Sequence, residues 1–392
     1  MIKTSFAIAL LGTLFLAPAA PAAPAAPEGL APVYGAGAEQ AIPGRYIVVF
    51  RPGSAGHDVS AAVQAAGRLG GKVHYVYTDA LQGFAATLPD QALQGLRHNP
   101  NVAFLEQDQA VSIGIEVSQG VSTWNLDRID QRTLPLNGYF NYLNTGVGVT
   151  AYVIDTGIRT SHTEFAGRAS IGYDALGGNG QDCNGHGTHV SGTIGGSHYG
   201  VAKDVSLVAV RVLDCSGSGT TSGVVAGVDW VTKNKKVPAV ANMSLGGGAS
   251  TALDNAVAAS INSGVTYAIA AGNSKQDACR YSPARVPAAL TVGATTSTDA
   301  RASYSNYGGC LDLFAPGSNV TSSWYSSDTA TATLSGTSMA TPNVTGVAAQ
   351  YLQLNPTATP AGVASALTGN ATTGVVGNAG KKSPNLLLFT DY

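Results

Sequence analysis

The chain has 392 residues, of which only 11% are charged, and a formal net charge of −2. That balance excludes a basic nucleic-acid binder and charge-driven disorder. The length allows more than one domain and a substantial core, and 49 glycines suit a compact, loop-rich globular protein.

The N-terminus reads as an export signal over residues 1–22: Lys3 supplies the positive start, Phe6 to Leu16 is apolar, and small residues follow. The apolar run is too short for a permanent membrane anchor, and cleavage is expected at Ala19 or Ala22. Alternating Ala and Pro mark residues 23–42 as an extended linker. No later apolar run reaches membrane length, so the expectation is a secreted, extracellular product with no membrane association after signal removal.

Residues 43–112 read as a small domain of their own. Arg45 to Phe50, Lys72 to Tyr77, Gly83 to Leu88 and Val102 to Glu106 are strand-like. Asp58 to Leu69 and Pro89 to Arg97 are helix-like. The order strand–helix–strand–strand–helix–strand is the split βαβ pattern of an α+β ferredoxin-like domain. Residues 113–123 lose the pattern and read as a linker. From 124 to 392, short Val- and Ala-rich strands alternate with helical stretches. The strands are Gly148 to Ile154, Ser206 to Leu213, Ala239 to Met243, Val265 to Ala270 and Leu290 to Val292. The helices are Thr221 to Lys233 and Ser250 to Ser263. Such alternation predicts an α/β fold: a mainly parallel sheet with helices on both faces, and active residues at the carboxyl ends of strands.

The four cysteines, Cys183, Cys215, Cys279 and Cys310, all lie in this later region. In an exported protein an even count favours disulfides, and no C-x-x-C pair offers a four-cysteine zinc site. Arithmetic alone leaves three pairings open.

Four residues carry chemistry when taken together. Ser338, in Ser335-Gly336-Thr337-Ser338-Met339-Ala340-Thr341-Pro342, opens a helical pattern running to Leu354. Unpaired N–H groups and the helix dipole there favour an oxyanion; alone, such a serine is more often a cap. Asp155 ends an apolar strand, where a carboxylate needs a partner. His186 stands in Asn184-Gly185-His186-Gly187-Thr188-His189; the glutamate of an H-E-x-x-H zinc site is absent. Asn273 follows the strand ending at Ala270, and its amide can donate to a developing oxyanion. Singly, each is an ordinary turn or cap residue. Together they supply nucleophile, base, orienting acid and oxyanion donor, in the chain order Asp, His, Ser known from subtilisin. An α/β-hydrolase is disfavoured, because Ala340 stands where G-x-S-x-G requires its last glycine.

Three blocks resemble the subtilisin-like serine proteases, within them the proteinase K branch and its aqualysin-type secreted members: Val153 to Gly157, Asn184 to Gly192, and Gly336 to Pro342. The similarity runs from about Trp124 almost to the C-terminus and includes Asn242 to Gly247. It implies a three-layer subtilisin-like peptidase domain over 124–392, with Asp155, His186 and Ser338 as catalytic triad and Asn273 in the oxyanion hole. It implies a broad-specificity serine endopeptidase acting on polypeptides. Ser244, Leu245, Gly246 and Gly247 would form one substrate edge and Gly217, Ser218 and Gly219 the other, with Ala270, Ala271 and Gly272 at the pocket for the residue before the cut. Residues 43–112 resemble the family's inhibitor-type propeptide, an intramolecular inhibitor and chaperone removed by self-processing, with the mature start near Val117. The resemblance further implies a monomer, the pairings Cys183–Cys215 and Cys279–Cys310, and structural calcium. One calcium set is Pro287, Ala289 and Asp312; a second is Asp127, Asp130 and Gln131, joined by Asn137. Two positions depart from the pattern: Asn343 stands where relatives usually carry histidine, and Thr345 replaces a small apolar residue. A catalytically inactive binding protein and a secreted esterase using the same triad are the competing readings.

Overall fold

The computed structural model describes residues 29–36, 41–78, 82–109, 117–121 and 123–392. The expected signal and most of the Ala/Pro stretch lie outside them. The chain divides into two compact units, Met1–Ile113 and Gly114–Tyr392.

In the first unit, strands Ala41–Phe50, Lys72–Tyr77, Gly83–Thr87 and Val102–Gln109 alternate with helices Gly56–Arg68 and Asp90–Arg97 in the expected order. The helices bury one stripe each, Val59, Ala62 and Ala66 on the first and Ala92 and Leu96 on the second. Those stripes pack with Val48, Phe50, Phe84 and Leu105 of the sheet, as helical and strand periodicities dictate. Two findings correct the expected linker 23–42. Val33–Tyr34 pairs in parallel with Leu105 and Glu106, and the next strand starts at Ala41, four residues before the expected Arg45. Pro43 and Gly44 hide that start from a propensity reading, but neighbouring strands supply the backbone partners that propensity cannot see.

The second unit is built on a nine-stranded sheet. Its seven principal strands are β1 (Thr150–Asp155), β2 (Ala169–Asp174), β3 (Ser206–Arg211), β4 (Ala239–Met243), β5 (Val265–Ala270), β6 (Leu290–Thr295) and β7 (Leu313–Pro316). The pairs Thr372–Thr373 and Leu386–Leu387 complete one edge as β8 and β9, and the spatial order is β8-β9-β7-β6-β5-β4-β1-β3-β2. All principal pairings are parallel. Helices α1 (His186–Gly195), α2 (Thr221–Asn234), α3 (Thr251–Asn262), α4 (Thr337–Leu354) and α5 (Pro360–Asn370) cover it.

Side chains alternate between two cores. Ala151 and Val153 of β1 join Val190 of α1 and Val344 and Val347 of α4 on one face. Tyr152 and Ile154 join Val228 of α2 and Val257 of α3 on the other. Burial on both faces is why these strands read as continuous apolar runs. Strands β2 and β7 escape the sequence reading: β2 is an edge strand, half-exposed and broken by Gly172, and β7 has only four residues. Within the expected linker 113–123, Val117–Gly120 is a strand paired with Tyr139–Tyr142. Its sequence has no apolar alternation, so only the pairing reveals it.

Candidate active site

Asp155 is the last residue of β1, His186 the first of α1 and Ser338 the second of α4. All stand at the carboxyl ends of the parallel strands, where such sheets open a crevice. Asp155 is fully buried. Its carboxylate meets His186 Nδ1 at 2.8 and 3.0 Å and accepts the Thr156 N–H at 2.7 Å. The imidazole is 26% exposed, so its far side opens toward the cleft. Burial works against its charged form, but the charge and hydrogen bond of Asp155, with Asp182 further off, outweigh burial and raise its pKa above the ordinary 6.5.

Asp182, which sequence reasoning missed, frames this pair. Its Oδ1 accepts from the N–H groups of Asn184 and Gly185 and from the Thr156 hydroxyl; its Oδ2 accepts from the Thr188 N–H and hydroxyl. The signal was an aspartate four residues ahead of a helix start, three before the capping position that Gly185 occupies. Thr156 Oγ1 accepts from the Gly187 N–H. The first turn of α1 is thereby tied to the loop after β1, which sets the direction of the His186 side chain.

The start of α4 is built differently. The Thr337 N–H and hydroxyl donate to Asn273 Oδ1 at 2.8 and 2.9 Å. That occupies the oxygen end of the Asn273 amide and leaves Nδ2 as a donor. The Ser338 N–H finds no acceptor among the described residues. Gly336 lies beside both donors: a Cβ placed on it would stand 3.4 Å from Asn273 Nδ2 and 3.6 Å from Ser338 N. Its missing side chain leaves room for a small anion between two N–H donors. The Ser338 hydroxyl donates to the Ser244 carbonyl at 3.1 Å.

A cleft of about 520 Å³ runs past His186, lined on one side by Gly217, Ser218 and Gly219 and on the other by Ser244 to Gly248. A second cavity of about 360 Å³ holds Ser338, Asn273, Ala270, Ala271 and Gly272, with Tyr281, Ala284 and Asn306 on its wall. Asn306 is the other residue that the sequence concealed. Its Oδ1 accepts from Ser274 and Gln276 N–H and its Nδ2 donates to Ala271 O, holding the turn that presents Asn273. Gly272, at φ +98°, is required there, since a Cβ would meet the Asn306 amide at 2.5 Å. No local sequence signal links positions 272 and 306.

Cys183 is bonded to Cys215, and Cys279 to Cys310. The first bridge sits beside the His186 loop, where Asn184 Nδ2 also donates to Cys215 O.

Pro287, Ala289 and Asp312 share one cavity. The Asp312 carboxylate accepts the Thr291 N–H, and burial pushes its pKa up to about 6. In the second set, Asp127 spends both oxygens on the Asn137 and Gly138 N–H groups, and Asn137 Oδ1 accepts from Tyr139. Asp130 Oδ1 and Gln131 Oε1, by contrast, are buried acceptors without a hydrogen-bond partner. Two orphaned oxygens on adjacent residues suit a hard cation. Asn343 is fully buried and satisfied. Its Nδ2 donates to Met339 O and Pro316 O, and its Oδ1 accepts from Asn125 Nδ2 at 2.8 Å.

The subtilase family model matches residues 146–386, and the peptidase inhibitor I9 model matches residues 45–114. The chain is 59% identical to an extracellular serine proteinase of Thermus sp. (strain Rt41A), over 98% of each protein. It is 51% identical to alkaline serine exoprotease A of Vibrio alginolyticus, over 89% of this chain and 68% of that one. The crystal structure of a cold adapted subtilisin-like serine proteinase superposes with a TM-score of 0.68 at 57% identity, covering 70% of this chain and all of that one. With a family model across most of the second unit and an I9 match on the first, the chain belongs to the subtilase family of serine proteases.

Proposed function

We propose that the protein is a secreted serine endopeptidase of broad specificity, made as a precursor that processes itself. The observation that carries this reading is the buried Asp155 at 2.8 Å from His186, whose cleft shares the Ser244–Gly248 wall with the cavity of Ser338, a serine at a helix start beside two free N–H donors. Ser338 Oγ attacks the peptide carbonyl as its proton passes to His186 Nε2. Asp155 holds the other ring nitrogen and stabilises the imidazolium. Asn273 Nδ2 and the Ser338 N–H receive the oxyanion. His186 then protonates the leaving amine, and water releases the acyl group by the same route in reverse.

Substrate adds as an extended strand between Ser244–Gly247 and Gly217–Gly219, so main-chain hydrogen bonds give breadth and the side-chain pocket gives preference. Small residues at 270–272, with Ala284, leave space for a large apolar or aromatic side chain before the cut. The I9-like unit serves as inhibitor and folding template for a sheet whose distant contacts make it slow to form, until cleavage near Val117. Secretion is supported by the Lys3-led apolar start and by the extracellular relative; among the described residues no helix is long and apolar enough to cross a membrane.

Calcium would be held by Asp312 with the carbonyls of Pro287 and Ala289, and by Asp130 and Gln131 near Asp127. Its contribution is to loop stability, not to any chemical step. Chelation is expected to shorten the half-life of the mature enzyme on heating; an unchanged half-life removes both sites.

The deciding experiment is casein digestion by purified, matured protein, with a serine-directed inhibitor and a Ser338→Ala protein matured in trans by immobilised parent enzyme as controls. Absence of proteolysis after verified maturation overturns the reading. Ester turnover without peptide turnover would favour the esterase instead.

A further inference from the structure

The helix that carries Ser338 has a proline inside it, Pro342. Proline has no N–H, so the carbonyl four residues earlier, that of Ser338, receives no helical hydrogen bond. A carbonyl withdrawn even partly from water needs a donor, and the nearly buried Ser244 supplies it: Ser244 Oγ donates to Ser338 O at 2.9 Å. Ser244 Oγ itself accepts from Asn242 Nδ2 at 2.9 Å, and Asn242 Oδ1 accepts from Thr345 Oγ1 at 2.9 Å. Asn242 is fully buried, and Thr345 and Ser244 nearly so. Thr345 lies seven residues beyond Ser338, two turns along the same helix face. The hydrogen bonds therefore run from the middle of α4, through the end of β4, back to the first turn of α4.

The direction of each bond depends on the one before it. An amide presents one accepting and one donating end, and the Thr345 hydroxyl claims the accepting end. Asn242 must then turn its NH₂ toward Ser244, and Ser244 Oγ, already accepting, gives its proton to Ser338 O. Without the Thr345 hydroxyl, the amide is free to turn over. Its oxygen would then draw the Ser244 proton, and the half-buried Ser338 carbonyl would lose its donor. Thr345 Oγ1 also reaches Thr341 O at 3.3 Å, the ordinary back-bond of a helical threonine. The shorter contact to Asn242 is the one that leaves the helix.

We propose that Thr345 is a positioning residue for the nucleophile: its hydroxyl orients the Asn242 amide, which through Ser244 pins the backbone carbonyl of Ser338. This rests on the reading of Ser338 as nucleophile. Thr345 touches neither substrate nor reacting atoms, so its effect falls on turnover rather than on substrate binding.

The test uses the purified mature enzyme as parent, Thr345→Val, Thr345→Ser and Ser338→Ala, each expressed as the full chain, with the Ser338→Ala precursor cleaved in trans by immobilised parent enzyme that is then removed. A peptide p-nitroanilide reports kcat and KM, and a phosphonofluoridate reports the rate of serine labelling. Thr345→Val, which keeps the shape and removes the hydroxyl, is expected to lower kcat and the labelling rate by roughly five- to tenfold, with KM within about twofold. Thr345→Ser is expected to restore both rates to within about twofold of the parent. A kcat for Thr345→Val within twofold of the parent, or a change confined to KM, overturns the proposal. Should Thr345→Val fail to accumulate, Thr345→Ala takes its place under the same criteria. Loss of both while Thr345→Ser behaves normally also overturns it, because the hydroxyl would then serve folding alone. Ser338→Ala is expected to show neither labelling nor turnover. If it shows both, the nucleophile assignment itself falls, whatever the Thr345 variants do.

Discussion

The two helix starts that meet in the crevice solve the same problem in opposite ways. At α1, the N–H groups of Asn184, Gly185 and Thr188 go to Asp182, that of His186 goes to Asn184 Oδ1, and that of Gly187 to Thr156 Oγ1. At α4 the Thr337 N–H is taken by Asn273, while the Ser338 N–H has no acceptor among the described residues and Gly336 leaves space beside it. A saturated start fixes a side chain; an open start keeps its donors for an incoming anion. His186, the proposed base, therefore sits on the saturated helix, and Ser338, the proposed nucleophile, on the open one.

The largest expected effect tests the open start. Asn273→Ala removes one oxyanion donor and should lower kcat by about 10²–10³, with little change in KM. Unchanged turnover of a peptide amide would remove Asn273 from that role. The saturated start is tested by Asp182→Ala, which strands three N–H donors and two hydroxyls at once. A loss on the order of 3 kcal/mol is expected, read as a lowered melting temperature of the covalently inhibited enzyme. A melting point equal to the parent's would show that water replaces Asp182.

Acid sharpens the contrast within α1 itself, because the pKa values of His186 and His189 are shifted in opposite directions. Burial, with the nearby His186, pushes His189 down to about 4, while Asp155 holds His186 above 6.5. Between pH 6.5 and about 4 the unfolded chain takes up a proton at His189 that the folded chain refuses. Stability is therefore expected to fall by about 3 kcal/mol as pH drops through that window. For His186 the sign is reversed: its stabilising contribution is complete below 6.5 and is lost as pH rises through its raised pKa. Activity needs the neutral ring, so kcat/KM should climb with pH through a midpoint above 6.5, and Asp155→Asn should lower that midpoint. A midpoint below 6.5 in the parent would break the pairing argument. The smallest effect returns to the open start: Gly336→Ala puts a methyl between the two donors and should reduce kcat about tenfold. If kcat is unaltered, the oxyanion lies elsewhere.

Much of this arrangement can be read along the chain. Strands buried on both faces announce themselves as Val- and Ala-rich runs, and β4 and β5 have the expected limits. Edge strand β2 and the four-residue β7 do not, because exposure and brevity remove the apolar signal. Asp155, His186, Asn273 and Ser338 stand out because each follows a strand or opens a helix within a distinctive block. Asp182 was legible in principle, as a carboxylate ahead of a helix. The roles of Asn306 and Asn242 were not, since Ser274 lies 32 residues from the first and Thr345 103 from the second.

Local periodicity and short motifs encode the alternation of strands and helices, the residue types able to do acyl-transfer chemistry, and their order. Which donors are saturated and which stay open is set by contacts across the fold. The fold also brings Asn125 to Asn343, and links Thr345 to the turn of Ser338 through Asn242 and Ser244. A hydrogen bond is settled by ångströms between groups far apart in the chain, and no spacing along the chain encodes that distance.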